Sequence, residues 1–86
     1  MTDRRVAMIT GATGGLGRVL VPDLAADGWD LVLVGSSQQR LDALVADAGL
    51  DPARVATVEA NLRDQSAATA AVDAAYERFG RVDALA

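Results

Sequence analysis

The chain has 86 residues, enough for one small domain, and a net charge of −4 in which all eight basic residues are arginines. An acidic chain without a basic stripe is a poor partner for nucleic acid. Without a single Cys or His it has no disulfide, thiol nucleophile, imidazole base or usual zinc ligand, so no metal site is expected. Half the residues are hydrophobic, yet Trp29, Tyr76 and Phe79 are the only aromatics. The core is therefore built from Ala, Val and Leu, which suits helices laid on a parallel sheet. A chain this short buries only about 60 to 65% of its unfolded surface, so its stability margin is thin. Met1 to Arg5 carries no apolar segment of secretory length, and the aliphatic run Leu31 to Val34 is far too short to span a bilayer. A cytoplasmic protein with no membrane partner is expected.

In chain order, Arg5-Val-Ala-Met-Ile-Thr10 is a short apolar run of the kind a buried strand needs, and it opens directly into Gly11-Ala-Thr-Gly-Gly-Leu-Gly17. Glycine has no Cβ and can take positive φ, so the chain can turn sharply and lie close against a ligand. The first amides of the helix that follows have no partner inside it, and with the positive end of its dipole they face an anion such as a pyrophosphate. A glycine-rich turn between strand and helix is thus a candidate dinucleotide cradle.

Leu16, Val19, Leu20, Leu24 and Ala25 then recur at three- and four-residue spacing, predicting a first helix with those residues on its packed face and Gly28 at its end. Pro22 lies inside it and removes the bond to the Arg18 carbonyl, which predicts a kink or break. Leu31-Val-Leu-Val34 reads as a strand covered on both faces, ending at Gly35-Ser36-Ser37. Leu41, Leu44, Val45 and Ala48 predict a second helix, capped by Ser36 or Ser37 and closed by Gly49. Asp51-Pro52 is a turn, and Val55 to Val58 a third strand. Asp64 is placed to cap a third helix whose packed face is Ala68, Val72, Ala75, Tyr76 and Phe79, ending at Gly80. Val82-Asp-Ala-Leu85 reads as the start of a fourth strand.

Regular alternation of strand and helix with right-handed crossovers gives a fold class of α/β: a Rossmann-like parallel sheet of strand order 3-2-1-4 with three crossover helices, truncated at strand four. Residues 1–86 then form a partial dinucleotide-binding domain. The same handedness puts two helices on one sheet face and one on the other, leaving an undercovered face and an open edge that favour self-association. A nucleotide hydrolase of the phosphate-loop kind is excluded, since that loop needs a lysine and the chain has none.

Thr10-Gly11-Ala12-Thr13-Gly14-Gly15-Leu16-Gly17 resembles the cofactor loop of the short-chain dehydrogenases/reductases, Thr-Gly-x-x-x-(Gly/Ala)-x-Gly, at every fixed position. It also fits Thr-Gly-x-x-Gly-x-x-Gly, the spacing of the extended branch of epimerases and dehydratases. Arg40-Leu41-Asp-Ala-Leu44 and Phe79-Gly80-Arg81-Val82-Asp83-Ala84-Leu85 look like the shorter, single-domain branch. The resemblance covers essentially the whole chain but only about the first third of the family pattern. The family's Asn-Asn-Ala-Gly run, catalytic Ser and Tyr-x-x-x-Lys pair have no counterpart here. Tyr76 is followed four places on by Gly80, so it is not the family's tyrosine and is read as an aromatic on the packed helix face.

The resemblance implies an NAD(P)-binding N-terminal portion of an oxidoreductase that moves a hydride between a nicotinamide and a small carbonyl or alcohol substrate. It implies that Gly11, Thr13, Gly14, Gly15, Leu16 and Gly17 line the pyrophosphate, with Thr10 steadying the turn. Where an NAD-preferring protein usually has a carboxylate at the end of strand two, this chain has Gly35, Ser36 and Ser37. Two hydroxyls, a helix N-terminus and Arg40 beyond them favour NADP over NAD. Asn61-Leu62 stands where the family commonly has Asp-Val reading the adenine edge. Asn61 retains an acceptor for the adenine amino group but without the charge. No catalytic residue is expected, so the 86-residue polypeptide itself is predicted to be inactive. The alternative from the residues is a non-catalytic module that binds a dinucleotide or only a partner.

Overall fold

Four parallel strands carry the architecture of the computed structural model, which describes residues 4–61 and 65–85. In chain order they and their connections are β1 (Val6–Thr10), α1 (Gly15–Ala26), β2 (Asp30–Gly35), α2 (Gln38–Asp47), a 3₁₀ turn (Pro52–Arg54), β3 (Val55–Glu59), α3 (Gln65–Phe79) and β4 (Ala84–Leu85). The sheet order is β3-β2-β1-β4 with every pairing parallel, as the alternation predicts. Expectations placed on Leu62, Asp64 and the side chain of Ala68 lie outside the described residues.

Strand side chains alternate between faces, and the core divides accordingly. Ala7, Ile9, Leu31 and Leu33 pack with Val21 of α1 and Leu41 of α2 on one face. Val6, Met8, Val32 and Val34 pack with Ala71, Ala75 and Phe79 of α3 on the other. Two helices thus cover one face and one the other. Over β1 and β2 that single helix suffices, because Val6, Met8, Val32 and Val34 are all buried. Cover is thinner at the two edges of that face, where Ala56 and Val58 of β3 are half-buried and the two-residue β4 ends with Leu85 exposed.

Two helices are rotated from the expected orientation. In α1, Gly17 and Val21 face the sheet with Leu20, Leu24 and Ala25, while Leu16 is 74% and Val19 60% exposed. In α3, Ala71, Ala75 and Phe79 point inward, leaving Val72 at 42% and Tyr76 at 54% exposure. Tyr76 is therefore not on the packed face. α1 also runs unbroken through Pro22, so the expected break is absent.

The amino ends of the strands are tied by charge. Asp30 is 3% exposed, accepts from Arg54 Nε at 3.2 Å and lies 3.9 Å from Arg4 Nη1. Arg54 also donates to the Trp29 carbonyl at 3.3 Å, so the start of β3 is held to the start of β2. At the other edge, Asp83 Oδ2 accepts from Val6 N at 2.8 Å and Asp83 N donates to Val6 O at 2.8 Å. That reciprocal pair extends the β1–β4 ladder one residue before β4 and fixes its register.

Arg81 donates to both Asp83 oxygens, at 2.8 and 2.6 Å. These bonds, with the one from Val6, hold the Asp83 carboxyl below the usual carboxylate range. A carboxylate with a depressed native pKa contributes stability above its unfolded value of about 3.9, and the contribution is lost as the pH falls through the lower native value. Asp83→Asn is expected to lower the thermal midpoint at neutral pH and to converge with wild type in acid. Unfolding followed by circular dichroism from about pH 7 downward checks this; a constant difference across the range would refute the charge linkage.

Candidate functional site: the carboxyl edge of the sheet

Parallel strands end on the same side, so the segments after β1, β2 and β3 meet at one edge of the sheet. In an open α/β sheet this edge is where ligands bind. Residues 11–14 follow β1, Ser36 and Ser37 follow β2, and Asn61 lies just beyond β3. The expected site residues within the described segments are thus brought to one edge, although they come from three places in the chain.

The glycine loop has distinct physical requirements at each position. Gly11 takes φ +60, a left-handed conformation costly for a side chain bearing Cβ, and its carbonyl accepts from Gly14 N at 2.9 Å. Ala12 is fully buried, and its N–H donates to the Val34 carbonyl at 3.1 Å, anchoring the loop to the end of β2. Gly17 is pressed onto Ala12: a Cβ there would stand 2.7 Å from the Ala12 Cα and carbonyl carbon. Gly15 is different, because a Cβ there would meet nothing within 4 Å and its φ is not positive.

α1 begins at Gly15 with Gly14 as its N-cap, and no side chain caps it. The amides of Gly15, Leu16 and Gly17 have no intrahelical acceptor, and the first turn contains no acidic residue. Gly14 and Gly15 are exposed. The result is a small-walled cradle in which backbone donors and the positive helix end face solvent, the chemistry required to hold a diphosphate. Thr13 is half-buried beside it, and Arg18 Nε donates to the Thr13 carbonyl at 3.2 Å. Thr10 ends β1 opposite Val34. The exposed Leu16 side chain stands at the cradle's edge rather than in the core.

At the end of β2 the hydroxyls divide. Ser37 is the α2 cap, its Oγ accepting from Arg40 N at 3.3 Å, whereas Ser36 is exposed. Ser36, Ser37 and Arg40 line one shallow hollow with Gln39 and Ala43. Arg40 also lines a second groove, between α1 and α2, together with Thr13 and Arg18. Two groups at this edge escaped the sequence reading. Arg18, immediately after the last loop glycine, shares a groove with Arg40. Glu59 Oε2 accepts from Gln38 N, the first amide of α2, at 2.7 Å. The position of Arg18 was visible in the sequence; that of Glu59 needed the β2–β3 register.

Asn61 is exposed just after Ala60, whose N–H donates to Gly35 O at 2.8 Å and carries the β2–β3 ladder to the edge. Among the described residues no cluster of metal-ligating side chains occurs, and no helix is long and apolar enough to cross a membrane.

Residues 5–86 match the family model for the short chain dehydrogenases. The chain belongs to that family. It is 43% identical over 82 residues to levodione reductase of Leifsonia aquatica, covering 92% of this chain and 30% of that protein. A solved short-chain dehydrogenase/reductase (glucose/ribitol dehydrogenase) from Brucella melitensis superposes with a TM-score of 0.89 at 40% identity, over 94% of this chain and 34% of the other. Two further structural neighbours carry a dinucleotide. One is the N-domain of a bacterial malonyl-CoA reductase with NADP (36% identity, TM-score 0.82, 94% and 16% covered). The other is a 3-ketoacyl-(acyl-carrier-protein) reductase from Brucella melitensis with NADH (30% identity, TM-score 0.84, 94% and 32% covered). The chain spans about a third of the length of the curated relatives it matches. What it shares with them is the N-terminal, cofactor-binding region of the short-chain dehydrogenases, and the family's cofactors are nicotinamide dinucleotides.

Proposed function

We propose that residues 1–86 are the dinucleotide-binding part of a short-chain oxidoreductase, with the pyrophosphate of NAD(P) seated on the uncapped N-terminus of α1. The observation that carries this reading is the cradle itself: free amides at Gly15, Leu16 and Gly17, no side-chain cap, and open space over Gly15. Gly11, Thr13 and Gly14 form its wall and Thr10 its base, while Asn61 and Leu62 take the adenine edge. When bound, the nicotinamide supplies or accepts the hydride. The chain's own residues hold and orient the dinucleotide. Proton transfer and substrate selection belong to other segments of a longer parent acting on a carbonyl or alcohol, and the 86 residues alone turn nothing over. At the adenosine end, Ser36 and Arg40, which line one hollow, with no acid at positions 35 to 37, support NADP over NAD. The cytoplasm, where these cofactors are abundant, is the compartment that accompanies this reading.

Fluorescence titration of the purified protein with NADPH and NADH tests it. Saturable binding of at least one reduced dinucleotide is expected, tighter for NADPH. Absence of binding by either, in protein shown by circular dichroism to be folded, would remove the cofactor assignment; tighter NADH binding would remove the preference alone.

A further inference from the structure

The acid missing from the carboxyl end of β2 is present one strand away. Gly35 pairs with Glu59 in the parallel register of β2 and β3, so the two residues end adjacent strands side by side. Gly35 itself is tightly packed, since a Cβ there would lie 3.2 Å from Leu41 Cδ2 and the leucine side chain would have to shift to admit it. From β3, Glu59 reaches across to the first amide of α2 at 2.7 Å. Gln38, whose amide it takes, is itself fixed by bonds from its Nε2 to Thr57 Oγ1 and Asp42 Oδ1, both at 2.8 Å. With Ser37 Oγ on Arg40 N, two first-turn donors of α2 are already engaged, one of them by a full negative charge.

We propose that Glu59 is a specificity-determining residue of the adenosine subsite, restraining the affinity for a 2′-phosphorylated dinucleotide that Ser36 and Arg40 would otherwise confer. The inference rests on the cofactor reading above and deepens it. A 2′-phosphate beside Ser36 and Ser37 gains Arg40 as a counter-charge, while the Glu59 carboxylate sits on the first amide of the same helix, and the two charges act on it in opposite senses. A 2′-hydroxyl carries no charge and is nearly indifferent to both. Glu59 therefore acts on the ratio of the two affinities more than on either cofactor's attachment at the pyrophosphate.

Glu59→Gln isolates the charge, because the amide oxygen can still accept from Gln38 N. The expected result is an NADPH affinity raised about tenfold, with NADH changed less than twofold and the thermal midpoint of the free protein close to wild type. Glu59 is exposed, so the gain should shrink as added salt screens the subsite. Glu59→Ala, which also removes the acceptor, must move the ratio in the same direction. An unchanged NADPH-to-NADH ratio in both variants, while wild type still binds, overturns the role of Glu59 and leaves the cofactor reading standing. Failure of folded wild type to bind either dinucleotide takes both down together.

Discussion

Replacing Gly15 with aspartate is expected to abolish dinucleotide binding while leaving the free protein as stable as wild type or slightly more so. The two effects separate because Gly15 is the loop glycine with no structural demand on it. Its φ is not positive and a Cβ added there meets nothing within 4 Å, so the substitution creates neither strain nor clash. A carboxylate in the first turn of a helix that has none complements the dipole and contributes about 0.3 to 1 kcal/mol. The same carboxylate stands at the place proposed for the diphosphate. Like charges about 4 Å apart near a protein surface repel by about 4 kcal/mol per pair of unit charges before screening, so a loss of at least 100-fold, about 2.7 kcal/mol, is the conservative expectation. Calorimetric titration of the variant, beside its thermal midpoint, reads both quantities. Gly15→Ala serves as the control, since an uncharged methyl group enters the same open space and should leave affinity within a few-fold. Full binding by the aspartate variant would show that the diphosphate lies elsewhere.

The topology was legible because each strand betrays itself. β2 is buried on both faces along its whole length, so it reads as an unbroken aliphatic run, and the glycines at 28, 49 and 80, each with positive φ, mark the helix ends. The glycine turn between β1 and α1, on which the cofactor proposal rests, was legible for a related reason: backbone chemistry leaves a compositional trace in glycine. Side-chain orientation was less so. Periodicity identified α1 and α3 as amphipathic, but the same apolar spacing puts Leu16, Val19, Val72 and Tyr76 on the packed faces, and all four are exposed. What orients α1 is the contact of Gly17 with Ala12, a backbone constraint that hydrophobicity does not register. Contacts between remote residues were invisible for a different reason. The bond from Gln38 N to Glu59 spans 21 positions and that from Val6 N to Asp83 spans 77. Neither partner differs in type from the solvated carboxylates around it until the sheet register is known.

Gly17→Ala is the stability experiment to which the fold is most exposed, and it also tests why the last loop glycine is there. The added methyl group would stand 2.7 Å from two Ala12 backbone atoms, and a main-chain neighbour cannot rotate away as a side chain can. Ala12 in turn is fixed, being fully buried and bonded through its N–H to the Val34 carbonyl. Relief requires α1 to lift from the loop, loosening the packing of Val21 against Ile9 and Leu33 beneath it. Overpacking of this kind costs about 1 to 3 kcal/mol, at the upper end where nothing can yield. For a domain of this size about 3 kcal/mol lowers the thermal midpoint by roughly 15 °C, a large share of a thin margin. Thermal unfolding by circular dichroism gives the number directly. Ala12→Gly in the same chain should not restore the midpoint, because the obstruction is the Ala12 backbone and not its methyl group. Recovery in that double variant, or a midpoint unmoved in the single one, would mean that α1 and the loop do not meet as closely as the geometry requires.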